Sequence, residues 1–353
     1  MPAYLTNGVG PRQELGLAIV EGEGSMKGLI GDKLLGPLGI SYRNAHLVKA
    51  TLAGSLGLRH IAHDKYVRAM GTKFHRLTAT FGEATLTVTP RGVEISVPRE
   101  LMADYNKNFD VLGFFAGRFG SELGPITKEY LIASATVGSG STYIAGSATN
   151  STVAYTAALL STNSFIADVI ASVRRVKANG EVPDTVVMSG PVAERIRQAA
   201  TVQAYAAGTL KAGQEATWTM IGSALKEFGI EQVLIGDTYY NNAADGDTPS
   251  LSQVWGNTYI LVCRAGRTQA STAEGVLTPS LSGIGANVFW EGFDSQGTPS
   301  LDKEALDFQG AGGFFVEVYP SKETKSEIIR IEMSHKPTIT NTRAGDLIAT
   351  QYS

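Results

Sequence analysis

Two stretches in the first third of the chain alternate apolar and polar residues one by one. Thr85-Leu86-Thr87-Val88-Thr89 and Val93-Glu94-Ile95-Ser96-Val97 flank Pro90-Arg91-Gly92, a pattern that predicts two strands joined by a turn as a hairpin. Upstream, Lys65-Tyr66-Val67-Arg68 and Lys73-Phe74-His75-Arg76-Leu77 read as strands interrupted by Gly71, so residues 59–98 form an extended ribbon. Its apolar stripe, Leu86, Val88, Val93 and Ile95, is thin. A two-stranded ribbon of that kind is marginal alone, so it is expected to lie against something else. The period then changes. Tyr105, Phe109, Leu112, Ala116, Phe119, Leu123 and Ile126 recur at spacings of three and four, which predicts one long helix over 102–135. Gly113, Gly117, Gly120 and Gly124 weaken it by about 1 kcal/mol each relative to Ala, and Pro125 is placed to kink it.

The second half alternates helix and strand. Asn163 or Ser164 caps a helix with Phe165, Ile166, Val169, Ile170, Val173 and Val176 on one face, and Asn179-Gly180 ends it. Thr185 to Ser189 is a short apolar strand, Gly190-Pro191 opens the next helix, and Thr217 to Phe228 is a third. Gln232 to Gly236, Val254-Trp255-Gly256 and Tyr259 to Cys263 are predicted strands, with a turn over Asn241 to Pro249. This order implies a compact α/β lobe over 164–268. After it come Phe314 to Tyr319, a Lys322 to Lys325 turn and Glu327 to Met333, again β structure, and a polar segment from Thr338 to Asp346. Residues 1–35 are Gly-rich and aperiodic, an arm.

Composition sharpens this. At 353 residues and 43% hydrophobic, the chain can bury a core larger than one ordinary domain. Charged residues are only 18%, below the roughly 25% of an average soluble domain, and there are 40 glycines. A dispersed monomer needs a charged skin, so a surface poor in charge points towards assembly. Lys+Arg number 30 against 33 Asp+Glu, and no basic stripe stands out beyond Arg174-Arg175-Val176-Lys177 and the Lys65 to Arg76 stretch, which argues against sequence-directed DNA binding. The single cysteine, Cys263, excludes an internal disulfide, sits in an apolar strand and fits a reducing cytoplasm. No secretion signal opens the chain, and no apolar run approaches the roughly 20 residues of a membrane span.

Candidate chemistry is sparse. His60 and His63, with His75 nearby, have a metal-like spacing, but on a strand that spacing points the two rings to opposite sides. Asp245-Gly246-Asp247 lacks the downstream Glu of a calcium loop and reads as a turn. Gly138-Ser139-Gly140-Ser141-Thr142 lacks the Lys of a phosphate loop. No cofactor, metal or catalytic constellation is assigned. The most informative polar set lies on the ribbon and its flank: Lys65, Arg68, Lys73, Arg76, Glu83, Arg91 and Glu94. These are candidates for contacts between subunits, where paired charges fix register; the alternative is an ordinary solvated ribbon.

The element order resembles that of major capsid proteins of tailed double-stranded DNA bacteriophages. Pro183-Asp184-Thr185-Val186-Val187-Met188-Ser189-Gly190-Pro191-Val192 is similar to the strand–turn–helix segment of that family's outer lobe. Phe228-Gly229 followed by Gln232 to Gly236, and Val254-Trp255-Gly256-Asn257 before an apolar strand, resemble the next two steps, and Asn341 to Asp346 takes the place of the closing strand. The resemblance covers roughly 60–349 in element order and 183–263 in recognisable motifs. It implies an α+β Hong Kong 97-type capsid fold with these parts: an N-terminal arm (1–35), a connection (36–58), an extended β-hairpin loop (59–98), a peripheral domain (99–163 and 269–353) with a spine helix at 102–135, and an axial domain (164–268). It further implies self-assembly through pentamers and hexamers into an icosahedral shell, portal, scaffolding or cement proteins as partners, packaged DNA touched non-specifically, no membrane, and residence in the virion after assembly in the host cytoplasm. The ribbon would then gain its burial from a neighbouring copy. No charged helical extension precedes the arm to act as a built-in scaffold, and Lys65 and Lys73 have no matching partner for a cross-link. Two rivals stay open: an encapsulin-like nanocompartment of the same fold, and a soluble α/β enzyme using the cleft of the 164–268 lobe.

Overall fold

The computed structural model describes residues 10–11, 28–40, 43–49, 82–100, 102, 111–138, 143, 149–206, 216–243, 247–266, 268–270, 277–279, 283–290 and 314–352. Its centre is a five-stranded sheet in the order Thr149–Asn150, Gly345–Ala349, Tyr259–Cys263, Thr185–Ser189, Gln232–Gly236. Tyr259–Cys263 runs antiparallel to both its neighbours, whereas Thr185–Ser189 and Gln232–Gly236 are parallel, joined through helices as parallel strands must be. The sheet draws on residues far outside 164–268, since Gly345–Ala349 lies inside it.

Strand alternation sends side chains to two different cores. Val186, Met188, Ile260, Val262 and Ile348 face the helices Phe165–Ala178, Gly190–Gln198 and Trp218–Lys226, whose Phe165, Val169, Val173, Ile196, Ile221 and Leu225 fill that side. Val187, Leu234, Leu261, Cys263 and Leu347 face the opposite way, onto Ile132 and Ala133 of the long helix Val111–Val137 and onto Leu34 and Leu35. The predicted long helix is therefore present over 111–137 with Pro125 inside it; of the proposed start, only Met102 falls among the described residues. Thr217 caps Trp218–Lys226 with its hydroxyl on Met220 N, and Gly229 closes that helix region at φ +95°.

Two smaller sheets lie beyond the long helix. One orders Gly10–Pro11, Phe314–Ser321, Ser326–Met333 and Arg91–Pro98, and its core is Val97, Met102, Phe314, Val318, Ile329, Ile331 and Met333. The other orders His335–Ile339, Gly285–Trp290 and Pro37–Ile40. A separate two-stranded ribbon pairs Asn44–Lys49 with Gly82–Thr87, and Leu251–Gln253 pairs with Tyr239–Asn241.

Three expectations are corrected here. The hairpin across Pro90-Arg91-Gly92 does not form: Gly82–Thr87 pairs with Asn44–Lys49, and Arg91–Pro98 pairs with Ser326–Met333. Alternation announces a strand without naming its partner, and both partners lie far off in sequence. Part of the stripe is satisfied within the subunit, because Leu86 and Val88 are buried against Leu38, Ala286, Val288 and Trp290 of the same chain, whereas Val93 stays exposed. Val254-Trp255 is a turn and not a strand, the strand there being Leu251–Gln253.

Candidate functional site

The ribbon is anchored at its base by polar contacts as well as burial. Val88 N donates to Arg43 O at 2.9 Å, Lys336 Nζ donates to Thr87 O at 2.9 Å, and the Arg43 guanidinium lies 4.1 Å from the Trp290 ring centroid. Arg43 also reaches Glu332 at 3.5 Å. Of the seven charged candidates, Lys65, Arg68, Lys73 and Arg76 lie outside the described residues, as do His60, His63 and His75. Glu83 is on the ribbon strand Gly82–Thr87. Arg91 and Glu94 are on the exposed edge strand of the four-stranded sheet, so the structure does not gather the set on one ribbon. Glu94 is already held by its own chain: Arg330 reaches it at 2.5 Å across the strand pair, and Tyr319 OH donates to it at 3.3 Å. Arg91 donates to His335 O at 3.4 Å.

Sequence reasoning missed a surface and a junction. The surface is the ribbon Tyr239–Asn241/Leu251–Gln253. Tyr240 turns inward onto Tyr130, ring centroids 5.2 Å apart, while Tyr239 and Leu251 on the other face are 45% and 69% exposed. Tyr130, itself 43% exposed, backs the ribbon's inner face from the long helix. Asn241 Oδ1 fixes the turn by accepting from Ala243 N at 3.1 Å and Ser250 N at 2.9 Å. None of the six paired strand residues is charged, the one signal that marked them beforehand. A protected edge ordinarily carries Lys or Glu.

The junction is built around Glu129 of the long helix. Its carboxylate accepts from Ile30 N at 2.8 Å, from Gly31 N at 3.0 and 2.9 Å, and from Trp255 Nε1 at 2.7 Å. It thereby satisfies the first amides of the short helix Gly31–Leu34 and ties the loop carrying Trp255 to the same point. A Cβ at Gly31 would press on this carboxylate, and one at Gly236 would overlap the Trp255 indole, so both glycines are required by close approach. Burial raises the Glu129 pKa against the lowering effect of the Ile30, Trp255 and Gly31 hydrogen bonds, with Asp32 adding a further upward push. Next to it, Lys128 turns the other way and pairs with Asp32 at 2.8 Å.

Other buried charges serve the frame. Asp168 accepts from Tyr155 OH at 2.8 Å and Thr152 Oγ1 at 2.8 Å, and burial drives the Tyr155 phenol far above its usual range. Glu181 holds Asn341 Nδ2 at 3.1 Å and Arg343 at 3.3 Å. The Cys263 thiol is pushed up by burial and then by Asp184, which leaves it an unreactive core residue. Among the described residues no three His, Cys, Asp or Glu side chains come together to hold a metal ion, and no helix is long and apolar enough to cross a membrane.

The fold these elements define is that of phage capsid proteins. A phage-related protein from Bordetella bronchiseptica matches it at a TM-score of 0.65 with 16% identity, covering 98% of this chain and 98% of that one. The capsid of Cyanophage P-SCSP1u matches at 0.51 with 10% identity, over 100% of this chain and 92% of that one. The virus-like particle from Pyrococcus furiosus matches at 0.51 with 10% identity, over 95% and 98%. Comparison with protein-family models and with curated proteins gives no match.

Proposed function

We propose that this chain is the major capsid protein of a tailed double-stranded DNA bacteriophage, a non-enzymatic subunit whose copies close into an icosahedral shell around the genome. The observation that carries this reading is the extent of the fold match: a phage-related protein and capsid structures align with essentially the whole chain at identities too low for anything but shared architecture. A match over a whole chain leaves little room for a grafted activity. In this reading the arm is the stretch before Ile30, shorter than the expected 1–35 because Ile30, Leu34 and Leu35 belong to the core, the extended loop issues from the ribbon Asn44–Lys49/Gly82–Thr87, and the lobe containing 164–268 is the axial domain.

Contacts between copies would use three surfaces. The first is the charged set Lys65, Arg68, Lys73, Arg76 and Glu83 on the loop. The second is the exposed edge strand with Arg91 and Glu94, whose free backbone groups and 41% exposed Val93 suit an added strand. The third is the uncharged outer face of the ribbon Tyr239–Asn241/Leu251–Gln253, with Tyr239 and Leu251. Symmetry makes each weak contact recur, and ring closure turns later contacts into intramolecular ones. Pentamers and hexamers of the chain, a portal, scaffolding or cement proteins and non-specifically held DNA are the partners this implies, and the virion is the location. A near-neutral chain suits a container, because a strongly basic wall would grip phosphates during filling.

The likeness to a virus-like particle, equal to that for the cyanophage capsid, favours a second reading: a shell of the same fold enclosing protein cargo. Electron microscopy of the purified protein, with analysis of particle contents, tests both. Closed shells of uniform diameter are expected; nucleic acid inside supports the first reading and protein cargo the second. A monomer at high concentration defeats both. Leu251→Asp is expected to reduce the yield of closed shells while leaving the subunit folded.

A further inference from the structure

His335 opens the strand His335–Ile339, is 2% exposed, and lies where the long helix meets the two smaller sheets. Its ring sits between Phe314, 5.0 Å between centroids, and Phe289, 5.8 Å. Nδ1 is 3.3 Å from the Asn287 Nδ2 amide, which fits a neutral ring accepting there and carrying its proton on Nε2. Among the described residues Nε2 has no hydrogen-bond partner.

The charges around this ring are unfavourable to a second proton. From the long helix, Lys128 places its ammonium 6.0 Å from the Phe314 centroid on the way to Asp32. From the edge strand, Arg91 bonds the His335 carbonyl, and Lys336 follows in the chain with its ammonium on Thr87 O. The acids nearby are engaged elsewhere: Asp32 with Lys128, Glu129 with Ile30, Gly31 and Trp255, and Glu332 with Arg43. Among the described residues no carboxylate pairs with the imidazole. Gly285–Trp290 contributes only Asn287 and Phe289 to it.

We propose that His335 is a proton-triggered wedge: a proton taken from water onto Nδ1 puts a cation between two phenyl rings and beside Lys128, and the seam between the long helix and His335–Ile339 opens to hydrate it. No other bond is made or broken, and the Asn287 amide loses its acceptor in the same event. Burial, with Lys128 adding to it, lowers the closed-state pKa from 6.5 to about 3. The sign follows from linkage. The closed seam is fully stable above the ordinary value, and its stability is lost as pH falls from 6.5 towards about 3, opening rising about tenfold per pH unit. Carboxylates of ordinary pKa titrate below most of that window, and Glu129, raised by burial, acts with the opposite sign by stabilising the closed state as pH falls, so a rise in opening on acidification belongs to histidine. The device does not depend on whether copies assemble.

Hydrogen exchange of the full chain between pH 7.5 and 5, corrected for intrinsic rates, tests this on peptides covering 335–339 and 126–137, with 185–189 as reference. The wild-type protein is expected to show opening about thirtyfold greater at pH 5 than at pH 7.5 in the first two peptides only. His335→Asn and His335→Phe, two neutral replacements of different shape, are expected to flatten that rise, and either one suffices if the other fails to fold. A flat wild-type profile, or a rise retained in a folded variant, overturns the proposal.

Discussion

The two faces of the five-stranded sheet are sealed by different physics. On one, three helices supply an apolar layer of Phe165, Val169, Val173, Ile196, Ile221 and Leu225, and the polar residues that Phe165–Ala178 buries, Asp168 and Ser172, bond to Tyr155 of the same core and to Asp346 of the sheet. On the other, the long helix brings Glu129 into the layer itself, among Ile132, Leu34 and Trp255. Burial from water, indifferent to direction, holds most of the first face, with the Ser172 and Arg175 bonds to Asp346 beside it. Donor–acceptor matching holds part of the second, so it fixes where residues 30–31 and Trp255 must sit and makes that face responsive to protonation.

The largest expected effect breaks the apolar face: Phe165→Ala should cost about 3–5 kcal/mol in urea unfolding, at any pH between 5 and 8. Glu129→Ala strands the Ile30, Gly31 and Trp255 donors, at about 1–3 kcal/mol for each group left unsatisfied, less whatever water recovers. Its pH dependence sharpens the contrast. Because the folded state raises the Glu129 pKa above 4.5, the stability linked to this group is greatest below that value and is lost as pH rises through the raised one. Glu129→Gln should therefore remove part of any stability decline above pH 4.5, whereas Phe165→Ala should leave it in place.

Leu86→Ala is expected to cost about 2–4 kcal/mol in the dissociated subunit, because Leu86 is packed against Trp290 and Val288 of its own chain. A value near zero there, with a loss only in assembled material, would return the ribbon's burial to a neighbour. Smallest of all, Glu94→Ala should change subunit stability by less than about 1 kcal/mol, since its pair with Arg330 is half exposed.

What could be read from the sequence was the lobe. Its helices and strands follow one another, each with a full period of apolar residues, so neighbours in sequence are neighbours in space: Thr185–Ser189 and Gln232–Gly236 pair directly. The remainder depends on distant partners. Val93 to Val97 alternates as a strand should, but its partner is Ser326–Met333, and no local feature names it. Trp255 in a Trp-Gly pair looks like strand; what it needs is a turn that lets the indole cover Gly236 and reach Glu129. Glu129 itself carried no warning, since a glutamate inside a helical period reads as solvent-facing until the amides it serves are known. The charged candidates were legible as charges; that Glu94 is engaged by Arg330 was not.

Gly345–Ala349 lies between Thr149–Asn150 and Tyr259–Cys263, with another strand on either side. During synthesis, the sheet's earlier strands must wait for a segment translated long after them, with Tyr259–Cys263 presenting an open row of amides and carbonyls. Until Gly345–Ala349 is made, the lobe is an unfinished sheet whose open edge is itself a template for wrong pairing.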